Sequence, residues 1–272
     1  MTDPATPPPG PEGRDAPFFI GFLPVPPALR GFLALAGVVA LLAAGALGYL
    51  VAATQDDPGT GGFAGRQQVT GVLIPGAYPL LQVTEGTEAL PAGRTVMLAG
   101  IGKFGVQNRV NDLGGQLVRA DGIMVQRGDL QVLQLRGARD AIAAVPHATP
   151  PDATPSLAAA PPAPAATRRL GRWRLTGELC DGKCYAGAMR PGRGISHRAC
   201  ANLCIIGGVP MVFVATGEVQ GHAFFLVTGP AGEAVDRALL DAVAELIEIE
   251  GEIEIVAGMP VLRADPASIA RP

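Results

Sequence analysis

The chain has 272 residues, 48% of them hydrophobic and 17% charged, apolar material for one or two ordinary cores, which excludes a chain disordered throughout. A formal net charge of −3 and 5% aromatic content supply neither the basic field nor the stacking platforms that a polyanion needs, so nucleic acid is excluded as a partner class.

Residues 1–28 contain PATPPPGPEG and LPVPP, and that proline density predicts a disordered tail. Residues 29–53 read as a transmembrane helix, because the charge-free run Gly31–Ala53, at ~1.5 Å per residue, covers the ~30 Å hydrocarbon core of a bilayer. The run lies far from the N-terminus and exceeds the ~7–15 residues of a signal-peptide core, so it is expected to stay as an anchor. Arg14 and Arg30 precede it, and Asp56 and Asp57 follow it. The positive-inside rule then predicts a single-pass protein of the bacterial inner membrane, with a cytoplasmic N-terminus and periplasmic C-terminal domains.

Residues 63–140 offer short apolar runs punctuated by glycine: Val69–Ile74, Thr95–Ala99, Gln116–Val125 and Leu130–Leu135. Their length and β-branched content predict strands. A Pro/Ala-rich linker over 141–167 separates this region from a second one over 168–265. The second repeats the grammar of the first. LTGEL at 175–179 answers VTGVL at 69–73, IEIEGEIE at 247–254 answers VRADGIMV at 118–125, and AGMPVL at 257–262 answers RGDLQVL at 127–133. We read a duplication, with two unrelated β domains of shared turn chemistry as the alternative. In the second region Ala231–Leu246 shows a helical stripe of Val235, Leu239, Val243 and Leu246, followed by IEIEGEIEIV with the period of a half-solvated strand. The expected architecture is therefore mainly β: one transmembrane helix and two small OB-like β-barrel domains, the second carrying a Cys/His helix and one further helix.

The chemistry concentrates in Leu179–Pro210, LCDGKCYAGAMRPGRGISHRACANLCIIGGVP. All four cysteines and one of three histidines fall between Cys180 and Cys204. Ser196 is placed to cap a helix from His197 to Ile206, stopped by Gly207, Gly208 and Pro210. Steps of three and four residues would bring His197, Cys200 and Cys204 to one face, and Cys184 arrives from upstream. A metal site of Cys184, His197, Cys200 and Cys204 follows, with Cys180 as a fifth donor or an alternative. Thiolate and imidazole favour zinc or copper(I), an iron–sulfur cluster being a further option, whereas calcium and magnesium do not suit these ligands. Two other readings stay open. Two disulfides would staple a loop and a helix to the barrel. Alternatively, an exposed thiol lowered in pKa by Lys183, Arg190, Arg193 and Arg198 would do redox chemistry, although a solvated face balancing Glu248–Glu254 is the plainer account of these cations.

Other features carry less. His222 reads as a strand-edge residue and His147 lies in the linker. The run GIGKFG at 100–105 lacks the spacing and the βαβ setting of a phosphate loop, and no hydrolase or glycosidase constellation is present. The run from Lys183 to Pro210 resembles a segment of uncharacterised bacterial membrane-anchored proteins, in which Lys-Cys-Tyr and His-Arg-x-Cys-Ala-x-x-Cys elements flank a Gly-rich turn; it covers about 30 of 272 residues and matches at Cys184, His197, Cys200 and Cys204. That resemblance implies relatedness and no reaction. The leading functional expectation is a non-enzymatic, membrane-tethered periplasmic accessory protein that binds a metal through Cys/His ligands and serves a membrane redox or respiratory assembly, with a membrane or periplasmic protein as partner. The alternatives are a disulfide-stapled interaction module and an exported thiol oxidoreductase.

Overall fold

The structure is a computed structural model that describes residues 25–54, 59–146 and 167–272. The tail up to residue 24 and the Pro/Ala run over 147–166 lie outside the described residues. Helix α1 spans Pro27–Thr54 and forms a unit apart from Pro58–Pro272. It starts on a proline, whose fixed φ and missing N–H suit the first helical position. Its span Pro27–Val51 is long and apolar enough to cross a membrane, with none of its most apolar window buried in the protein.

The remainder is built of strands. β1 (Gly62–Ile74), β2 (Leu80–Glu85), β3 (Thr95–Ala99), β4 (Leu117–Arg127), β5 (Leu130–Leu135) and the short β6 (Ile142–Ala144) form one sheet in the order β1-β2-β3-β5-β4-β6, and β1 also pairs with β4. β7 (Arg168–Asp181), β8 (Met211–Val219), β9 (His222–Thr228), β10 (Leu246–Val256) and β11 (Met259–Ala264) close into a five-stranded barrel. In both sheets the third strand pairs parallel with the fifth, β3 with β5 and β9 with β11, and the other main pairings are antiparallel. Four strand glycines mark close approaches of neighbouring chains. A Cβ at Gly71, Gly122, Gly177 or Gly251 would meet the carbonyl oxygen of Gln82, Gln134, Val214 or Arg263 at 2.4, 2.5, 2.2 or 2.3 Å.

Each sheet encloses its own core, Leu73, Leu81, Leu98, Met124 and Leu133 in the first and Phe213, Phe225, Ile247, Ile253 and Leu262 in the second. A third cluster joins them: Met97, Val125, Leu130 and Val132 of the first sheet pack with Val212, Leu226, Met259 and Val261 of the second. Strands β3, β5 and β8 therefore bury both faces, one inward and one towards the other sheet, and Pro58–Pro272 is one compact unit.

Several local expectations need correction. The stripe in Ala231–Leu246 is not an α-helix. Only Arg237–Ala242 turns, as a 3-10 helix capped by the Asp236 carboxylate, which accepts from the Ala238 N–H at 2.8 Å. Leu239 and Ala242 are buried three residues apart, a spacing that the tighter helix brings to one side. Val243 then turns extended to form a bridge with Leu179. Strand β2 has no counterpart among the runs read from sequence, and β6 lies inside the segment that composition assigned to the linker.

Candidate metal centre

The site begins at the end of β7. Asp181, fully buried, accepts the Cys184 N–H on Oδ1 at 2.8 Å, which starts the single wide helical turn Cys184–Ala188. Its Oδ2 lies 3.0 Å from Nε2 of His197, itself 3% exposed. His197 belongs to a 3-10 turn, Ile195–His197, that leads into helix α3 (Arg198–Ile206). Ser196 sits inside that turn, exposed, and caps nothing; the expected cap is therefore corrected. The expected stop is observed: Gly208, at φ +92°, follows Gly207, and their N–H groups reach back to the Ile205 and Leu203 carbonyls at 2.9 and 3.1 Å.

Cys200 and Cys204 are one turn apart on α3 and share a face. Their sulfurs and that of Cys184 all lie within 4.8 Å of one another. A second set, Asp181, Cys184 and His197, meets the same limit. Cys184 thus links three sulfurs to a carboxylate–imidazole pair. Cys180 belongs to neither group: it is buried with the cluster between the sheets, its thiol donating to Glu178 Oε1 at 3.3 Å. All four cysteines are free thiols.

Two lysines complete the centre. Lys103, on the loop between β3 and the short helix α2 (Gln107–Val110), brings its Nζ to 2.7 Å from Cys200 Sγ and to 4.0 Å from Cys204 Sγ. Lys183, 3% exposed, donates to the carbonyl of Gly100 at 2.9 Å and to that of Gly102. It is no part of a solvated face. The GIGKFG run, set aside as a failed phosphate loop, is thus clamped by Lys183 and carries Lys103 to the sulfurs. The approach is backbone to backbone. Gly105 N–H donates to Gly207 O at 2.8 Å, and a Cβ on Gly207 would fall 1.8 Å from the Lys103 carbonyl oxygen.

The charges fit together. The hydrogen bond from the Cys184 thiol holds Cys204 down at about 7, helped by Lys103 and Lys183. The same bond, with burial, pushes Cys184 up, so of the two thiols Cys204 gives up its proton first. The close contact with Cys200 raises Lys103, burial lowers Lys183, and burial drives Cys180 well above the usual thiol range. Away from the centre, Arg172 and Arg174 pair with Glu250 across the β7–β10 ladder and Arg198 with Glu245, partly exposed bridges that solvent screens. His222, at the start of β9, joins neither ligand group, and His147 lies outside the described residues.

Sequence reasoning singled out the cysteines and His197 as one ligand set, whereas the structure groups His197 with Asp181 and Cys184, apart from Cys200 and Cys204; it did not single out Asp181 or Lys103. The available signals were a lone acid between Cys180 and Cys184, and a lone lysine in a loop of closely spaced glycines.

Fold and site define a mainly β protein, with an N-terminal helix fit to cross a membrane and a cysteine group, backed by an Asp–His pair, that can hold a metal ion. Comparison with protein-family models, curated proteins and solved structures gives no match.

Proposed function

We propose that the protein is a membrane-tethered periplasmic accessory protein whose Cys184, Cys200 and Cys204 thiolates bind a soft metal ion, in the service of a membrane redox or respiratory assembly. The observation that carries this reading is the closeness of three sulfurs from two elements, all within 4.8 Å, with a lysine ammonium against one of them. Zinc and copper(I) suit such donors best. An iron–sulfur cluster usually takes four thiolates, and Cys180 is turned into the core instead. Thiolates around a zinc or copper ion leave net negative charge, which Lys103 and Lys183 offset. His197 supports the site from outside: its Nε2 is taken by Asp181, whose other oxygen orients Cys184, the kind of outer contact that fixes a metal ligand. Cys200 is half-buried, so one side of the site stays open to an exchanging ligand or partner.

The remaining parts of the proposal have separate support. The flanking charges Arg30, Asp56 and Asp57 favour an exported C-terminal region. The pairing order shared by the two sheets, and the matched glycine pairs Gly71/Gly177 and Gly122/Gly251, favour OB-like folds related by duplication. A periplasmic reporter fused after Pro272 tests the orientation, and cytoplasmic activity refutes it.

The decisive experiment is metal analysis with thiol counting on the full chain, extracted in detergent without oxygen. We expect stoichiometric zinc or copper that is lost in Cys184→Ser, Cys200→Ser and Cys204→Ser and kept in Cys180→Ser. No metal, with all four thiols alkylated after unfolding, refutes the reading. A second reading, an exported thiol oxidoreductase, draws on the nearness of Cys184 and Cys204 as two free thiols. It requires a reversible Cys184–Cys204 disulfide in the metal-free chain.

A further inference from the structure

Lys103 Nζ and Cys200 Sγ are 2.7 Å apart. An N–H···O hydrogen bond already spans ~2.9–3.0 Å between heavy atoms, and sulfur is larger than oxygen, so this separation is too short for an ordinary N–H···S bond. It is also too long for a direct bond, since even two sulfurs bond at ~2.05 Å. A nitrogen and a sulfur stand at such a distance when both are bonded to one small atom between them.

We propose that Lys103 and Cys200 form an oxidative cross-link, Lys–NH–O–S–Cys, in which a single oxygen bridges the two side chains. The reactants are the lysine ammonium, the cysteine thiolate and dioxygen. One oxygen atom enters the bridge and the other leaves as water with two of the three protons, the third staying on nitrogen. Sulfur rises to the sulfenyl level and nitrogen to the hydroxylamine level; the electrons they lose reduce both oxygen atoms, so atoms and electrons balance. Thiolates are the oxidisable form of cysteine, and a sulfenyl group is the first rung of that chemistry.

The surroundings suit the reaction. Cys200 and Lys103 are both half-buried, reachable by dissolved oxygen yet held in place. The lysine is presented by a loop fixed at both ends, through Lys183 to the carbonyls of Gly100 and Gly102, and through the Gly105–Gly207 hydrogen bond. Lys103 lies on the loop after β3 and Cys200 on helix α3, so the bridge would tie the first β region to the second covalently, across the residues that separate them in sequence. The bridge does not depend on a bound metal. Its consequence does rest on the proposed metal site: a bridged Cys200 is no longer a thiolate, so oxidation would unload the ion and thiol reductant would restore the site.

The test uses the full chain in detergent, prepared without oxygen, then divided and either kept anaerobic or held in air-saturated buffer. Both samples are digested without reductant and analysed by mass spectrometry, with metal content read on the same samples. We expect, only after air, a peptide joining Lys103 to Cys200 whose mass exceeds the sum of its parts by one oxygen less two hydrogens. It should disappear on treatment with thiol reductant, and be absent from Lys103→Arg, which keeps the positive charge and all three sulfurs. A Cys200 that stays alkylatable after air, or is found in a disulfide, as a sulfinic acid, or joined to Lys103 through a carbon atom, overturns the inference. The cross-link in a chain that never carries metal refutes the proposed metal site alone, and metal without any cross-link refutes the bridge alone.

Discussion

Replacing Asp181 by alanine tests how the centre is held. The carboxylate is fully buried and serves two partners, the Cys184 N–H at 2.8 Å and the His197 imidazole at 3.0 Å. Hydrogen bonds to a charged group contribute ~1.5–3 kcal/mol each, and both partners would be left buried and unpaired, so Asp181→Ala should cost roughly 3–5 kcal/mol. Asp181→Asn retains one oxygen for the Cys184 N–H and turns an amide N–H towards His197, and should cost only about 1–2 kcal/mol. The assay is urea unfolding of the detergent-solubilised chain with chelator present, so that metal binding does not add to the stability measured. Trp173 is the only tryptophan and lies on β7, the strand that ends at Asp181, so its fluorescence reports the barrel directly. The midpoint should fall with an unchanged slope. With chelator omitted, Asp181→Ala should also weaken metal binding by about 10–100-fold although every sulfur remains. An alanine variant within ~0.5 kcal/mol of wild type, or one that binds metal equally well, would show that the Asp181–His197 pair does not hold the centre.

Two further outcomes are expected. Gly207→Ala puts a methyl group 1.8 Å from the Lys103 carbonyl oxygen and must push the Gly100–Gly105 loop from α3, a backbone shift that costs about 1–3 kcal/mol; hydrogen exchange at the Gly105 amide, now bonded to Gly207, should accelerate. Asp121 is held down at about 2, chiefly by the hydrogen bonds of Arg66 and also by Gln68 and Arg136. Because its folded value lies below the unfolded one of ~3.9, its contribution is complete above pH ~4 and is lost as pH falls towards 2. The arginines are about half exposed, so screening leaves about 1 kcal/mol, and in urea titrations at successive pH values Asp121→Asn should abolish this part of the acid sensitivity.

Much of the architecture is local and therefore legible. Alternation in IEIEGEIEIV survives as β10, whose isoleucines 247, 249 and 253 are buried in the barrel. The glycine pair after Ile206 ends α3 because the left-handed conformation at Gly208 is a local backbone property. Where a local signal had competing outlets, it misled. Ser196 has the chemistry of a helix cap, yet the preceding turn carries the chain through it, and the apolar stripe before β10 is satisfied by a 3-10 turn and a bridge to Leu179. Lys183 read as a solvent cation because nothing nearby in sequence offers it a partner; its acceptors, Gly100 and Gly102, are more than eighty positions away.

By itself, the sequence determined the apolar helix, the β-rich character and the crowding of four cysteines and a histidine into one short stretch, since each depends on composition or on spacing along a few residues. Tertiary structure alone decided which of those cysteines meet, that Asp181 holds His197 and Cys184 together, and that Lys103 closes the site from the loop after β3. The physical reason is range: hydrophobic period and backbone preference act over a turn or a strand, whereas a centre built from residues 103, 181 and 204 exists only once two sheets have buried Met97, Val132, Val212 and Val261 against each other.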